Sequence, residues 1–282
     1  MAIDLQVHFW EQHSKERPHL NIAIPNLPYP FGPDEMLPLM KDAGVEHVVI
    51  VPPGFMGDNN SYALECAEQY ADKFSVMGLV DINNIRLKEN ISNWLNQPGM
   101  IGIRTHLSKR MRDRWSSEQQ ADILWQSCSE YQIPVAVFAG GEISYLESVL
   151  KSHPSLSLII DHFGLGPIDT SIKNGIDYQS FRSMMSLSKY SNVYIKVSTL
   201  PVRSSSDYPF TDMHQVVQET IKSFGPERML WATDFTQSLN RNRSTYIEEV
   251  NFWRSGMPFL TQTDIDAILS MNAKKIFPQL NN

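Results

Sequence analysis

Ile3-Asp4-Leu5-Gln6-Val7-His8-Phe9-Trp10 near one end of the chain and Met229-Leu230-Trp231-Ala232-Thr233-Asp234 near the other decide the reading of the fold. Both are apolar runs of strand length that finish on an ionisable side chain. Side chains alternate across a strand, so Asp4, Gln6 and His8 are expected on one face, stacked inside whatever sheet holds them. One strand ending in His and a distant one ending in Asp point to a shared site at one rim.

Six further runs of the same kind lie between them: His47–Pro52, Phe74–Asp81, Met100–His106, Pro134–Ala139, Leu156–Phe163 and Val193–Thr199. With Asp4–Phe9 and Arg228–Asp234 they make eight. Helical patterns separate them near 34–43, 59–73, 86–96, 117–131, 142–152, 174–189, 211–224 and 243–254, with a last one around Thr263–Ile276. Val/Ile/Leu strands alternating with helices mean a parallel sheet covered on its faces. Eight such units in 282 residues predict an α/β fold, a single-domain (β/α)8 TIM barrel over 1–282. An open doubly wound sheet is the alternative, but no Gly-x-Gly-x-x-Gly turn follows the first strand. The Pro-rich stretch 18–33 reads as a rim loop and candidate lid.

Composition narrows the function classes. Lys and Arg number 24 against 31 Asp and Glu, a net −7 that argues against nucleic-acid or anionic-membrane partners. No apolar run reaches membrane-spanning length and the first residues lack a signal-peptide layout, so a cytoplasmic protein is expected. Cys66 and Cys128 are too few for a disulfide framework or zinc ribbon. A small-molecule partner is expected, with homo-oligomerisation left open.

In a barrel, chemistry collects at the carboxyl ends of the strands. Gln6 and His8 stand there on strand one, Arg104 and His106 on strand four with Lys109 and Arg110 beyond, and Asp161-His162 on strand six. Lys196 and Ser198 follow on strand seven, with Arg203 next, and Asp234 on strand eight. Each has a plain structural alternative: His8 or His162 as a hydrogen-bonder, Asp161 as a helix cap or loop brace, Arg104 with Lys109 and Arg110 as a solvated rim cluster, Lys196 as the partner of an interior carboxylate. The joint placement of His8, His162 and Asp234 favours a site. His13, His19, His47, His153 and His214 fit surface roles better.

These segments resemble the second amidohydrolase family, and the resemblance runs the whole chain. It rests on Ile-Asp-x-x-x-His-Phe-Trp at 3–10, Asn60-Ser61-Tyr62, Gly102-Ile103-Arg104, Asp161-His162-Phe163-Gly164, Tyr194-Ile195-Lys196-Val197-Ser198, Trp231-Ala232-Thr233-Asp234-Phe235 and Asn272-Ala273-x-x-Ile276-Phe277. The nearest likeness is to its lactonase branch, that of 2-pyrone-4,6-dicarboxylate lactonase and the sugar lactonases. Metal-dependent members hold a divalent ion through His-x-His on strand one, a His ending strand five and the Asp ending strand eight. Here Gln6 replaces the first His and strand five offers Phe138 and Ala139, so only His8 and Asp234 survive of that set. A neutral amide is a poor zinc ligand, and a tetrahedral site wants about three good protein ligands. The resemblance therefore implies no cofactor, with Zn2+ or Mn2+ on His8 and Asp234 as the alternative.

It further implies a metal-independent hydrolase that opens a small carboxylate-bearing lactone. Asp234 activates water, and His8, Gln6 and His162 polarise the carbonyl; the Gln6 amide can donate to an oxyanion as a His N–H does. Arg104 and Arg110 reproduce the spacing of a basic pair in the dicarboxylate enzyme, and Arg203 resembles its arginine after strand seven. With Lys196 and Ser198 they form the expected substrate-binding set. The alternatives are a metal-dependent decarboxylase or a lactone isomerase on the same barrel, and an inactive barrel that binds a ligand.

Overall fold

The computed structural model describes residues 1–20, 25–107, 118–168 and 175–281. Its strands are β1 (Ile3–Val7), β2 (His47–Ile50), β3 (Phe74–Leu79), β4 (Met100–His106), β5 (Val135–Phe138), β6 (Leu158–Ile160), β7 (Val193–Val197) and β8 (Met229–Trp231). They pair in chain order, each parallel to the next. A helix follows each: α1 (Pro33–Ala43), α2 (Ser61–Gln69), α3 (Leu87–Ser92), α4 (Glu118–Glu130), α5 (Ile143–Ser152), α6 (Tyr178–Met185), α7 (His214–Phe224) and α8 (Tyr246–Arg254). This is the (β/α)8 TIM barrel that the alternation predicts. Short helical turns at Leu200–Arg203 and Phe235–Asn240 add to the expected elements.

Helix ends follow local chemistry. α1 opens on Pro33 with Asp34 and Glu35 in its first turn, which suits the positive end of the helix, and stops at Gly44, whose φ of 62° favours glycine. Thr245 caps α8 in a reciprocal box with Glu248.

The strands are buried on both faces, and two apolar groups divide them. Ile3, Leu5, Val49, Val51, Met77, Ile101, Ala136, Ile159 and Leu230 fill the barrel interior. Val7, Val48, Ile50, Val76, Ile103, Val137, Ile160 and Trp231 face the helices. Each buried aliphatic side chain contributes roughly 1.5–3 kcal/mol by its removal from water. Asn272 donates to the carbonyls of Pro226 and Met229, which brings the final helical segment to the amino-terminal mouth, where Phe277 and Leu280 join the interior group.

Asp4 does not stack with Gln6 and His8. The register against β2 shifts between Asp4 and Val7, so one strand gains a residue on the other. Ile3 and Leu5 point inward, Val7 points outward, and the extra residue therefore flips the alternation. Asp4 faces the helix layer, whereas Gln6 and His8 face the barrel axis.

Asp4 closes the seam between β1 and β8. Its Oδ1 accepts from the Thr233 and Gln6 backbone N–H groups (2.9 and 3.1 Å), and its Oδ2 accepts from Thr233 Oγ1 (2.6 Å) and the Tyr246 hydroxyl (3.0 Å). Burial pushes its pKa up to about 6 against the pull of these donors. The Asp234 N–H donates to the Gln6 carbonyl at 2.9 Å, which sets Asp234 beside Gln6 across the same seam.

Candidate active site

Except for β4, which ends at His106 as expected, the strands end one to three residues earlier than the sequence predicts, and after β6, β7 and β8 the chain turns sharply. Asp234 has φ 55°, His162 φ 53°, Phe163 φ 57° and Thr199 φ 63°, all left-handed and none a glycine. Such residues cost about 1–3 kcal/mol each and persist where surrounding structure holds them, as they do around sites. Here the turns carry His162 and Asp234 over the barrel mouth directly after β6 and β8.

There the expected trio meets. His8 Nε2 lies 3.1 Å from Asp234 Oδ1, and His162 Nε2 lies 3.8 Å from Asp234 Oδ2. His8 Nδ1 donates to the Val51 carbonyl (2.8 Å), which fixes the ring and turns Nε2 to Asp234. His162 Nδ1 stands 2.7 Å from Ser198 Oγ. A Ser198 hydroxyl donating to Nδ1 leaves the ring proton on Nε2, the nitrogen on the Asp234 side. Burial drops the His162 pKa to about 4, so the ring is neutral at pH 7. Burial works against ionisation of Asp234, but His8, His162 and Arg104 outweigh it, and its pKa lies below the ordinary value.

A buried ionic chain supports the trio. Lys196 Nζ is 2.7 Å from Asp161 Oδ1 and 2.9 Å from Gln6 Oε1, and Arg104 Nε donates to Asp161 Oδ2 at 3.1 Å. Asp161 is fully buried; the burial penalty is outweighed by Lys196 and Arg104, which hold its carboxyl far below the usual carboxylate range. Burial pulls the Lys196 pKa down, and Asp161 opposes this. Arg104 also donates through Nη1 to the His106 ring, and burial followed by this cation holds His106 well below its ordinary pKa. Phe138 sits edge-on between the His106 and His162 rings, centroids 5.7 and 5.6 Å apart.

The Gln6 amide has a fixed direction. An ammonium group only donates, so the atom facing Lys196 is the oxygen. The other end, Nε2, is buried and has no hydrogen-bond partner among the described residues. A buried donor without an acceptor costs about 1–3 kcal/mol unless a ligand or water supplies one.

Of the basic residues expected to bind substrate, Arg104 and Lys196 are engaged with Asp161. Arg203 is buried after β7 and donates to Thr199 Oγ1 (3.2 Å) and the carbonyls of Gly175 (3.2 Å) and Gly166 (2.7 Å). Burial lowers its pKa to about 10. Lys109 and Arg110 lie outside the described residues. Phe55, Met56 and Phe210 are buried among the rim loops, and Tyr208 is exposed. His106, Asp161 and Lys196 form more of the site than sequence alone assigns them; the signal available was their place at or just after the carboxyl ends of β4, β6 and β7.

The donor set fits a tetrahedral metal poorly. Gln6 turns its oxygen to an ammonium, Phe138 stands where a strand-five ligand would be, and among the described residues no three His, Cys, Asp or Glu side chains are arranged to hold an ion. A separate cleft of about 370 Å3 beside α3 is lined by Asp58, Asp81 and Glu89, whose charges suit no acidic ligand.

A parallel (β/α)8 barrel whose polar residues converge at the carboxyl ends of its strands defines the class: a barrel with an enzyme-type mouth. The amidohydrolase family model matches residues 3–279, and the chain belongs to that family. The L-fucono-1,5-lactonase of Burkholderia ambifaria is 23% identical over 237 residues, covering 84% of this chain and 80% of that protein. A structure assigned as a probable 2-pyrone-4,6-dicarboxylic acid hydrolase from Acinetobacter baumannii, with citric acid bound, superposes at a TM-score of 0.76 with 20% identity, over 98% of this chain and 99% of that one. An amidohydrolase from Burkholderia multivorans with bound zinc superposes at 0.77 with 18% identity, over 99% of both chains. Among the described residues, no helix is long and apolar enough to cross a membrane.

Proposed function

We propose that the chain is a lactonase that opens a small lactone bearing a carboxylate, without a metal ion. The observation that carries this reading is the Gln6 amide, a buried donor with no partner among the described residues, on a residue whose backbone carbonyl accepts from the Asp234 N–H. Asp234, held in place by His8, takes a proton from water, the water oxygen adds to the lactone carbonyl, and the oxyanion is held by Gln6 Nε2 and His162. Collapse expels the ring alkoxide, which takes up the proton, and the product is the open hydroxy acid.

Asp234 is a weak base, since its neighbours hold it ionised. Most of the rate enhancement therefore has to come from the oxyanion donors, each worth about 100- to 1000-fold in kcat. Arg203 is the candidate for the substrate's carboxylate, with Arg110 as a further contact, while Ser198 keeps its hydroxyl proton on His162. Three of the five N–H groups of Arg203 are engaged among the described residues, and one on each terminal nitrogen has no partner there, which suits a two-donor grip. The L-fucono-1,5-lactonase and the 2-pyrone-4,6-dicarboxylic acid hydrolase support a lactone as the substrate class.

The test is proton release over a panel of L-fucono-1,5-lactone, 2-pyrone-4,6-dicarboxylate and other sugar and aromatic-acid lactones. Protein is treated with chelator, then assayed with and without Zn2+ or Mn2+. Turnover in chelator is expected. Turnover only after metal addition would overturn the metal-free mechanism, and none on any lactone would overturn the substrate class.

A further inference from the structure

We infer that Lys196 is a positioning residue for the reaction: its ammonium selects the oxygen of the Gln6 side chain and so presents the amide NH2 as the free donor. The inference rests on the lactonase reading for its kinetic consequence, and on geometry for its structural one.

An amide side chain has two chemically opposite ends of nearly equal size, and only its neighbours decide which end faces where. Gln6 lies on β1 and Lys196 on β7, 190 residues apart, and Lys196 Nζ meets Gln6 Oε1 at 2.9 Å. The opposite orientation would set an NH2 group against an NH3+ group in a buried space, donor facing donor. Lys196 itself cannot turn away, because its Nζ is held at 2.7 Å by Asp161, whose other oxygen is held by Arg104. Lys196 is 1% exposed and Asp161 fully buried, so water cannot replace either contact. Three strands and the turn after β6 thus supply the run Arg104, Asp161, Lys196, Gln6, and its last atom, Gln6 Nε2, has no partner among the described residues. Two of the three ammonium hydrogens are spent within the protein, which leaves Lys196 acting through Gln6 instead of gripping substrate.

The test has a spectroscopic and a kinetic arm. With 13C,15N-glutamine labelling, the Gln6 side-chain signal is assigned by its loss in Gln6→Leu. In Lys196→Met that signal is expected to shift, and in Lys196→Arg, which keeps donors at the position, to stay near its wild-type place. An unmoved Gln6 signal in Lys196→Met overturns the inference whatever the enzyme does. Should Lys196→Met not fold, the pair Asp161→Asn/Lys196→Met, which removes the Asp161–Lys196 ion pair as a unit and leaves Arg104 facing the Asn oxygen, takes its place.

The kinetic arm uses whichever panel lactone the wild type opens. Lys196→Met is expected to lower kcat 100- to 1000-fold with KM within about threefold, matching Gln6→Leu. The double variant Gln6→Leu/Lys196→Met is expected to lose no more than either single. Additive losses, or a loss confined to KM, overturn the positioning role. If the wild type opens no lactone, the lactonase reading falls and the Gln6 signal still decides the assignment of Lys196.

Discussion

Replacing Glu249 by Gln isolates a buried carboxyl whose protonation is written into the fold. Glu249 lies on α8, 2% exposed, and accepts hydrogen bonds from the Ser238 and Ser244 hydroxyls. Burial raises its pKa from 4.5 to about 8, with Asp4 and Asp234 adding like charge against the two serine donors. Between those values the folded chain holds a proton that the unfolded chain has released. Stability therefore falls as pH rises through the window from about 4.5 to 8, and the loss is complete above it. Each pKa step is worth about 1.4 kcal/mol, so the full loss is roughly 5 kcal/mol, an upper value because water enters when a buried carboxyl ionises.

Gln keeps the accepting oxygen and the shape of the side chain but cannot ionise. Glu249→Gln is thus expected to match the wild type near pH 5 and to exceed it at pH 9 by about 2–5 kcal/mol, on the order of 5–10 °C in Tm. Urea denaturation at pH 5, 7 and 9 reads the difference directly. A stability gap independent of pH would refute the reasoning, because it would assign the effect to packing and not to the proton. So would a variant weaker than the wild type at pH 9.

Asp234→Asn is expected to abolish turnover while product binding, read by calorimetry, stays within a few fold, since Asn fills the same space without accepting a proton. Asp4→Asn turns an amide NH2 toward groups that already donate, and an unfolding free energy lower by about 2–4 kcal/mol is expected in urea. Gln6→His/Phe138→His restores the strand-one and strand-five imidazoles beside His8 and Asp234. This double variant should retain zinc through gel filtration, by metal analysis, where the wild type retains none; equal zinc in both would contradict the fit argued above.

The barrel was legible because its strands are apolar on both faces and its helices on one, a difference in period that a single sequence carries. The rim was legible because Arg104, Asp161, Lys196 and Asp234 fall at strand ends in every unit that has them. The bulge in β1 was not. A register shift is a relation between β1 and β2, and the residues 3–8 alternate without a break when read alone. Treating the strand as regular placed Asp4 inside the barrel, where the structure instead sends it out to Thr233 and Tyr246. The turns that reverse φ at His162 and Asp234 were hidden for a related reason, since neither residue is a glycine and only tertiary contacts hold them there. The pairing of Lys196 with Gln6 spans 190 residues and leaves no local trace.

The charges around the barrel mouth bear on which lactone enters. Arg104 and Lys196 both face Asp161, and Asp234 faces His8. Arg203 contacts only neutral oxygens, and among the described residues no carboxylate lies within ion-pair distance of it. A guanidinium 5% exposed to water, with the Asp234 charge acting on it only from beyond ion-pair distance, is a costly arrangement, and burial lowers its pKa to about 10 against that attraction. An acidic substrate removes that cost as it binds, whereas a neutral sugar lactone leaves it in place. The difference falls on binding, so an acidic lactone should be favoured through KM, and Arg203→Gln should narrow the preference by raising KM for the acid alone. An equal rise in KM for neutral and acidic lactones would mean that Arg203 only ties Gly166 and Gly175 together, and that the acid is read elsewhere on the rim.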